Sequence, residues 1–301
     1  MPLELSIVFL NFNRLNETRF TCERLKEIID QRQDIEVIAV DNQSTDGTAQ
    51  YLTSQNHWLT ALLLDSNDGI AGYNIGFEQA KGEVILVLDD DSCPQSIATL
   101  DIALQLLKQD SKVGIIACDI LTPSGERQNL WHLPNQNQPE PSMSFIGCGF
   151  FIRRDLFKQI GWYPASFFLY QNEITVSLKT YEAGFNIYFS PKCIAIHRGN
   201  PAQRAGYRRI FYGTRNTLWI LREYAPSIRK SYLIFSRLVI GFIMALRHQQ
   251  FKAYWDAVKA GLFKPLPKTT LSPETVKIFN LFWQQNSLFY HLKKFTGFLK
   301  P

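Results

Sequence analysis

Residues 84–91 have the sequence Val-Ile-Leu-Val-Leu-Asp-Asp-Asp, in which five aliphatic residues are followed directly by three acids. A short, continuous aliphatic run is typical of a strand that is buried on both faces, as in a parallel sheet. Ligands of open α/β sheets bind outside the carboxyl ends of the strands. This segment therefore predicts a buried strand that brings carboxylates to a ligand crevice.

The N-terminal 120 residues repeat this arrangement of a short apolar strand followed by a longer polar-apolar segment. Alternating strands and helices are typical of βαβ units around a mostly parallel sheet, so the predicted class is α/β. The predicted strands are residues 5–10, 36–40 and 60–64, and the predicted helices are residues 16–31, 48–54 and 73–80. Asn16 is available to cap the first helix. Because the second strand leads into Asp41, we expect Asp41 and the acids at 89–91 to lie in one crevice.

The segment that follows predicts an exposed connection and then further α/β elements. Residues 122–144 are rich in Pro, Asn and Gln, which predicts a mobile surface loop. The predicted elements beyond it are strands at 145–152 and 186–189, helices at 154–160 and 173–183, a strand-like segment at 189–196, and mainly helices after residue 207.

The composition is that of an ordinary globular protein, since 46% of the 301 residues are hydrophobic and 20% are charged. The five cysteines include no C-x-x-C pair, which argues against a disulfide framework and a thiolate zinc site and indicates a reducing compartment. No basic region precedes the N-terminal apolar run, so we expect no secretory signal peptide. The longest apolar stretch, residues 232–246, contains Arg237 and falls short of the ~20 residues of a membrane span.

Charge is distributed unevenly along the chain. Residues 201–301 contain 17 Lys/Arg and three Asp/Glu, a balance of +14, whereas residues 1–200 contain 15 Lys/Arg and 24 Asp/Glu, a balance of −9. The apolar segment 231–246 has cationic ends, so we interpret it as an interfacial helix on an anionic membrane, with a buried helix as the alternative. No nucleic-acid-binding motif accompanies the charge, which disfavours a nucleic-acid partner. The predicted domains are residues 1–205 and a helical basic region at 206–301.

The three adjacent acids after the strand at 84–88 indicate a metal site. Carboxylates at one strand end repel one another, and a divalent cation held by oxygen ligands is the usual relief. A solvated acidic turn or helix cap is the alternative. The chain has no Walker A motif and no G-x-G-x-x-G fingerprint, which disfavours kinases and dehydrogenases.

Five segments occur in the order and spacing found in family 2 glycosyltransferases, and together they resemble the GT-A type of that family. They are residues 6–14 (SIVFLNFNR), residues 40–48 (VDNQSTDGT), the N-x-G-x-x-x-x-N-x-G spacing of 67–76, the D-x-D of 89–91, and residues 147–197. The resemblance covers roughly residues 4–200 and is closest to rhamnosyl- and galactofuranosyl-transferase-like members. It implies a Rossmann-like, mostly parallel sheet flanked by helices, followed by the helical basic region.

The resemblance assigns nucleotide-binding roles to four residues. Asp41 matches the acid that accepts a hydrogen bond from the nucleobase, since a uracil or thymine ring offers an N–H donor, and a helix-capping aspartate is the alternative. Asn11 and Asn74 fall at further nucleotide-binding positions. Asp89 matches the acid near the ribose and the metal.

The resemblance also implies a divalent metal, Mg²⁺ or Mn²⁺, bridging the donor phosphates. Asp91 matches the direct ligand, with Asp89 beside it. His197 matches a third ligand, and a structural histidine is the alternative. Asp90 is expected to point away from Asp91, because consecutive strand residues face opposite sides.

Glu173 matches the catalytic base of the family. Residues 167–175 occupy the place of the family pattern F-F-x-x-x-E-D-x-D, but Asn172 and Thr175 replace two of its three acids. A glutamate at the base position can still remove a proton from an acceptor hydroxyl.

The implied function is metal-dependent, inverting transfer of a hexosyl or deoxyhexosyl group in cell-surface polysaccharide synthesis. The donor would be a UDP- or dTDP-linked sugar and the acceptor a hydroxyl of a glycan or a lipid-linked glycan. We expect a cytoplasmic protein, peripheral at the inner face of the cell membrane. Two alternatives stay open: a sugar nucleotidyltransferase, and a non-catalytic glycosyltransferase-like membrane scaffold, which the two replaced acids favour.

Overall fold

The computed structural model describes residues 3–30, 32–128, 140–199, 206–284 and 287–290. The chain divides into two compact units. Unit 1 comprises Met1–Phe168 and Lys179–Gly199, and unit 2 comprises Leu169–Leu178 and Asn200–Pro301.

Unit 1 is built on one sheet of nine strands within the described residues. The strands are β1 (Leu5–Asn11), β2 (Ile35–Asp41), β3 (Thr60–Leu63), β4 (Val84–Asp89), β5 (Ser92–Pro94), β6 (Val113–Leu121), β7 (Glu140–Pro141), β8 (Phe150–Arg153) and β9 (Asn186–His197). Their order is β3-β2-β1-β4-β8-β6-β9-β5, and β7 pairs with β9. Strands β1, β2, β3, β4, β6 and β9 run in one direction, and β5, β7 and β8 run in the other. The predicted α/β class with a mostly parallel sheet is confirmed.

Helices flank this sheet. They are α1 (Leu15–Ile29), α2 (Thr48–Ser54), α3 (Gly72–Gln79), α4 (Ile97–Gln109) and α5 (Arg154–Gln159). Helix α6 follows at Asn172–Glu182, and its residues up to Leu178 belong to unit 2. The residues of β1 and β4 are buried almost throughout. Because successive strand side chains point to opposite faces, these central strands must be covered on both sides. Gly76 lets α3 approach the sheet, since a Cβ there would lie 2.7 Å from a methyl carbon of Val8 and 2.8 Å from one of Val40.

Three sequence-based expectations in unit 1 need correction. Asn16 does not cap α1, because the helix begins one residue earlier and the backbone N–H of Leu15 donates to Asp46 Oδ2 at 2.9 Å. The strand predicted from residue 145 begins at Phe150, because a turn closed by the Gly149 N–H and the Ile146 carbonyl oxygen precedes it.

The loop predicted at 122–144 is also not wholly an exposed connection. Its residues 129–139 lie outside the described residues. Residues 140 and 141 form β7, and Ser142 and Ser144 are buried. Pairing with β9 outweighs the polar, proline-rich composition there.

The C-terminal part of unit 2 is helical, as predicted. Its helices are α7 (Tyr207–Tyr224), α8 (Ser227–Arg247), α9 (Phe251–Phe263) and α10 (Pro273–Gln284). Helix α9 lies close to α7, because Gly261 has no side chain and a Cβ there would stand 2.6 Å from Leu218 Cδ1. The Trp219 indole N–H fixes this pair by donating to the Ala260 carbonyl oxygen at 3.0 Å. Among the described residues, no helix combines the length and the apolarity that a membrane span requires.

Candidate active site

The carboxyl ends of three neighbouring parallel strands place Asp41, Asn11 and Asp89 along one sheet edge. Asn11 ends β1, Asp41 ends β2 and Asp89 ends β4. The register pairs Asn11 with Asp41 on one side, and Leu10 with Asp89 on the other. The sheet therefore assembles the acid-lined edge that the sequence predicts.

Asn11 is fully buried and uses its amide within the protein. Its Nδ2 donates to the Val40 carbonyl oxygen at 3.0 Å, and its Oδ1 accepts from the Thr18 hydroxyl at 2.9 Å. These bonds tie the first turn of α1 to the end of β2. The nucleotide contact predicted for Asn11 stays a prediction.

Asp41 is 1% exposed, and one of its two carboxylate oxygens is able to accept a further hydrogen bond. Its Oδ2 accepts from the Ser44 backbone N–H at 2.8 Å, whereas its Oδ1 is buried and has no hydrogen-bond partner among the described residues. Leaving a buried acceptor unpaired costs about 1–3 kcal/mol. The N–H of a nucleobase is the kind of group that would remove this cost.

Asn42, to which sequence reasoning assigned no role, presents a second buried acceptor. Its Nδ2 donates to the Gly69 carbonyl oxygen at 2.9 Å, while its Oδ1 is without a hydrogen-bond partner in the described part of the chain. A Cβ at Gly72 would lie 2.4 Å from this oxygen, so a glycine is needed there. The position of Asn42 within the V-D-N segment was the available signal.

The glycine-bearing turn at 67–72 packs closely against the backbone of Phe168. Gly69 has φ +61°, and a Cβ there would lie 2.0 Å from the Phe168 carbonyl oxygen, so both the conformation and the space require glycine. Nearby, Asn74 Nδ2 donates to the Tyr163 carbonyl oxygen at 3.0 Å, and Asn74 Oδ1 accepts from the Tyr163 N–H at 3.1 Å. Asn74 thus holds two segments of unit 1 together, and its predicted nucleotide contact stays a prediction.

The Asp89 carboxylate is oriented by the hydroxyl of Tyr73. The Tyr73 hydroxyl lies 2.6 Å from the Leu88 carbonyl oxygen and 2.9 Å from Asp89 Oδ1, and its proton serves these two acceptors. Burial, reinforced by the charge of Asp89, raises the pKa of Tyr73 well above its ordinary value. Tyr73 therefore remains a donor that fixes the Asp89 carboxylate.

Asp90 does not point away from Asp91, contrary to expectation. Arg14 Nη1 lies 2.9 Å from Asp90 Oδ1 and 2.8 Å from Asp91 Oδ2, so one guanidinium joins both acids. The alternation of strand side chains does not apply here, because β4 ends at Asp89 and the next two residues form a turn. Arg14 was missed because it lies 76 residues from Asp90.

Asp91 is buried between two cationic or potentially cationic groups. Its Oδ1 lies 3.2 Å from His197 Nε2, opposite the Arg14 contact. Burial alone raises the pKa of this carboxyl, but the contacts with His197 and Arg14 outweigh burial and bring it to about 2. Asp91 is therefore ionised across the physiological pH range.

His197 ends β9 and faces two oxygen atoms with its two ring nitrogens. Nδ1 lies 3.3 Å from Gln128 Oε1, and Nε2 faces Asp91. A ring protonated on both nitrogens donates from Nε2 to Asp91, as the low pKa of Asp91 requires of a donor or cation. A neutral ring with its proton on Nδ1 would instead offer the Nε2 lone pair to a metal ion, supported by the outer contact with Gln128.

The donor set suits a divalent cation, although its membership differs in part from the prediction. Asp89, Cys148 and His197 each offer one ligand atom, and these atoms lie within 4.8 Å of one another. Asp91 Oδ1 is buried and makes no hydrogen bond within the described residues, although it lies at ion-pair distance from His197. Two of the predicted ligands, Asp89 and His197, therefore lie together with Cys148, whereas Asp91 adjoins His197 but is not a member of this group.

Glu173 lies in unit 2, half-buried in the first turn of α6. The two residues before α6, Tyr170 and Gln171, have φ +66° and +67°, which non-glycine residues adopt only at a cost. Asn216 of α7 holds this segment by donating to the carbonyl oxygens of Leu169 at 2.8 Å and of Tyr170 at 2.9 Å. The start of α6 is thus fixed by a residue that the local sequence does not reveal.

The mixed sheet, with carboxylates at its parallel strand ends, defines a GT-A type glycosyltransferase fold. The chain belongs to glycosyl transferase family 2, whose sequence model matches residues 6–161. The resemblance seen in the sequence is therefore confirmed. No curated protein matches the chain.

Solved structures show the same fold at low sequence identity. The mannosyltransferase PcManGT from Pyrobaculum calidifontis, in complex with GDP-Man and Mn²⁺, is 18% identical with a TM-score of 0.60, covering 97% of this chain and 83% of that chain. TarS 1-349 of S. aureus, in complex with UDP-GlcNAc, is 17% identical with a TM-score of 0.60 and coverages of 86% and 82%. GalNAc-T7 with UDP, GalNAc and Mn²⁺ is 14% identical with a TM-score of 0.58, covering 97% of this chain and 57% of that chain.

Proposed function

We propose that this glycosyltransferase moves a hexosyl or deoxyhexosyl group from a UDP- or dTDP-linked donor to a hydroxyl of a glycan or lipid-linked acceptor, with inversion. The cell-surface polysaccharide pathway is the proposed setting. The observation that carries the proposal is that one strand-end edge combines two features: a buried Asp41 carboxylate oxygen with no hydrogen-bond partner among the described residues, and a group of side chains that could hold a metal ion.

The nucleotide would bind at the ends of β1, β2 and β4. Asp41 Oδ1 would accept from a ring N–H of the base, and Asp89 would lie toward the ribose. A uracil or thymine ring offers a single imide N–H with carbonyl groups on either side. We propose residues 1–205 as the donor-binding catalytic domain and residues 206–301 as a basic accessory region.

Asp89, Asp91 and His197 would hold the divalent cation, for which Mg²⁺ and Mn²⁺ are the ions implied by the family. When bound, the cation neutralises charge on the donor diphosphate. Arg14 keeps the Asp90 and Asp91 carboxylates in place without it, 2.9 and 2.8 Å from its Nη1.

Glu173 is the proposed base. Its carboxylate would remove the proton of the acceptor hydroxyl as that oxygen forms its bond to the anomeric carbon and the bond to the nucleoside diphosphate breaks. Attack from the face opposite the leaving group gives inversion. The fixed segment before α6, held by Asn216, would keep the carboxylate in one orientation.

The proposal is tested by incubating the full chain with Mn²⁺ and a panel of UDP- and dTDP-sugars. Donors that bind should raise the melting temperature, because a ligand at a hundredfold excess over its Kd adds about 2.7 kcal/mol to the free energy of unfolding. Release of nucleoside diphosphate from these donors supports a glycosyltransferase. Release of pyrophosphate in a parallel incubation with a nucleoside triphosphate and a sugar 1-phosphate supports a nucleotidyltransferase. Nucleotide binding without turnover of any donor supports the non-catalytic scaffold.

Glu173→Gln separates catalysis from binding. Because the substitution keeps the size of the side chain and removes its basicity, transfer should fall by about 10²–10⁴-fold while donor affinity is unchanged. Glu182→Gln, at the last position of the same helix, is the matched control. Wild-type transfer rates in Glu173→Gln would show that another acid is the base.

We also propose that unit 2 docks on an anionic membrane surface. Five large apolar side chains around the α8–α9 corner are between 41% and 59% exposed, a set we call the corner patch: Phe242, Ile243, Leu246, Phe251 and Trp255. The rings of Phe242 and Phe251 are 6.1 Å apart. Exposed Arg247 and Lys252 adjoin the patch in sequence, and this combination of apolar and cationic side chains complements an anionic lipid surface.

Vesicle sedimentation tests this docking. Trp255→Ser should reduce binding to vesicles containing phosphatidylserine, and Phe263→Ser, at a 78% exposed aromatic of the same helix outside the patch, should not. Equal binding by wild type and Trp255→Ser would exclude the corner patch as the docking surface.

A further inference from the structure

We propose that Asp89, Cys148 and His197 form a three-ligand site for a zinc-class ion, meaning Zn²⁺ or Co²⁺, with Cys148 as a direct sulfur ligand. The inference rests on the proposed function and deepens it, because it names the metal class of the same site and assigns Cys148, in the place of Asp91, as its third direct ligand. It departs from the sequence-based expectation, which argued against a thiolate zinc site because no C-x-x-C pair is present.

The register of the sheet brings Cys148 beside Asp89. Strands β4 and β8 are antiparallel, and Val87 pairs with Phe150. Counting two residues onward along β4 and two residues back before β8 reaches Asp89 and Cys148. Cys148 lies in the turn that precedes β8, so this extension of the register by two residues brings its position opposite Asp89.

The backbone around Cys148 is fixed by close packing on both sides. A turn from Ile146 to Gly149 carries the cysteine, and the Gly149 carbonyl oxygen accepts from the Cys118 N–H of β6 at 3.2 Å. A Cβ at Gly149 would lie 2.5 Å from Ile120 Cδ1 and 2.9 Å from Ala195 Cβ. Ala195 is two residues before His197, so this packing sets Cys148 against the strand that carries the histidine.

The three ligand atoms are close enough to share an ion after a small adjustment. They lie within 4.8 Å of one another, and Cys148 and His197 are 3% and 6% exposed. Zinc bonds of about 2.0–2.3 Å place tetrahedral ligands ~3.5 Å apart, so a contraction of about 1 Å would complete the site. Such a movement lies within the reach of side-chain rotation.

The chemistry of this set favours zinc-class ions over magnesium. Sulfur, imidazole nitrogen and carboxylate oxygen are the usual zinc ligands, and three protein ligands leave a position open for a substrate oxygen. Magnesium prefers an all-oxygen octahedral shell. On binding, the Cys148 thiol gives up its proton to solvent and ligates as the thiolate.

The test uses Co²⁺ as a spectroscopic probe of the full chain. Thiolate coordination produces an intense near-ultraviolet charge-transfer band, which we expect in the wild type at one Co²⁺ per chain. Excess Zn²⁺ should remove the band, and excess Mg²⁺ should leave it. Cys148→Ser should lose the band and bind Co²⁺ at least about tenfold more weakly, since even outer partners of metal ligands contribute 10- to 100-fold.

Cys22→Ser is the matched control, because Cys22 is another buried cysteine and lies on α1. This variant should keep the band. A wild-type complex without the band, or a band that survives in folded Cys148→Ser, overturns the proposal; the wild-type spectrum decides even if the variant does not fold. Donor turnover is measured separately. Turnover without the band contradicts this inference but not the proposed transferase activity. The band without turnover contradicts the transferase activity but not the metal site.

Discussion

Charge is buried at the strand-end site and exposed in the basic C-terminal region. Asp90 and Asp91 are 6% and 2% exposed, and Arg14 fixes both of them. Arg229, Arg247 and Lys252 are exposed to solvent. Burying a charge costs free energy unless the charge is paired, so the buried acids depend on the fixed geometry of their partners. Exposed charges act at longer range, and salt screens their interactions. Substitutions in the first region should therefore alter stability and metal binding, and those in the second should alter salt-dependent association.

The largest effect on stability is expected for Arg14→Gln. Removing one partner of a buried ion pair typically costs about 3–5 kcal/mol, because the remaining charge is left uncompensated. A divalent cation at the same acids would supply the missing positive charge. Without metal, we expect the free energy of unfolding to fall by about 3 kcal/mol, and we expect Mn²⁺ or Zn²⁺ to restore more stability to the variant than to the wild type.

Asp119→Asn is the control for the Arg14 experiment. Asp119 Oδ2 pairs with Arg127 Nη2 at 2.6 Å and is likewise buried, but it is not among the metal-ligating groups. The substitution should destabilise unit 1 without rescue by metal. Equal rescue of both variants would mean that metal stabilises the protein elsewhere.

The next effect is the acid sensitivity contributed by Asp91. Its pKa is about 2 in the folded protein, below the ordinary value of 3.8, so its contribution is present above pH 3.8 and is lost as the pH falls toward 2. The lost stability amounts to about 2 kcal/mol. Between pH 4 and pH 2, chemical denaturation should show a steeper loss for the wild type than for Asp91→Asn, and parallel curves would contradict the assignment.

Much of this architecture could be predicted from local sequence. The observed α2 coincides with the predicted residues 48–54, and the strand ending at Asp41 was placed to within a residue, because apolar runs bounded by turn residues define such elements. The sheet edge followed from topology, since parallel strands deliver their carboxyl ends to one side. The family followed from five ordered segments.

The contacts within the site could not be predicted, because they depend on packing between distant segments. Arg14 meets Asp90 across 76 residues, and Cys148 reaches Asp89 only through the β4–β8 register. The expected opposite orientation of Asp90 was wrong because the strand ends one residue earlier. The contact made by Asn216 could not be predicted either, since its side chain donates to the carbonyl oxygen of Tyr170, 46 residues away.

A smaller effect is expected from the exposed cations. Replacing Arg247 and Lys252 by Gln should change the free energy of unfolding by less than about 0.5 kcal/mol per site, as for most surface substitutions. Each cation near an anionic surface contributes about 1 kcal/mol, so vesicle binding should weaken by roughly 30-fold for the pair and become less dependent on salt. Sedimentation at low and high salt measures this. Lys230→Gln is the control and should change vesicle binding less, because the Lys230 amine already donates to the Arg222 carbonyl oxygen at 2.8 Å.

The smallest effect is expected for Asp90→Asn. Burial raises the pKa of Asp90 well above its ordinary value, although Arg14 opposes this, and an asparagine resembles the protonated acid in size and charge. A raised folded pKa gives a contribution that is present below the ordinary pKa and is lost as the pH rises.

The variant should therefore differ little from wild type near pH 4 and gain relative stability toward pH 8, which denaturation at the two values measures. Arg14 still lies 2.8 Å from Asp91, so metal-dependent nucleotide binding should be retained. A loss as large as in Asp91→Asn would show that Asp90, rather than its neighbour, holds the ion.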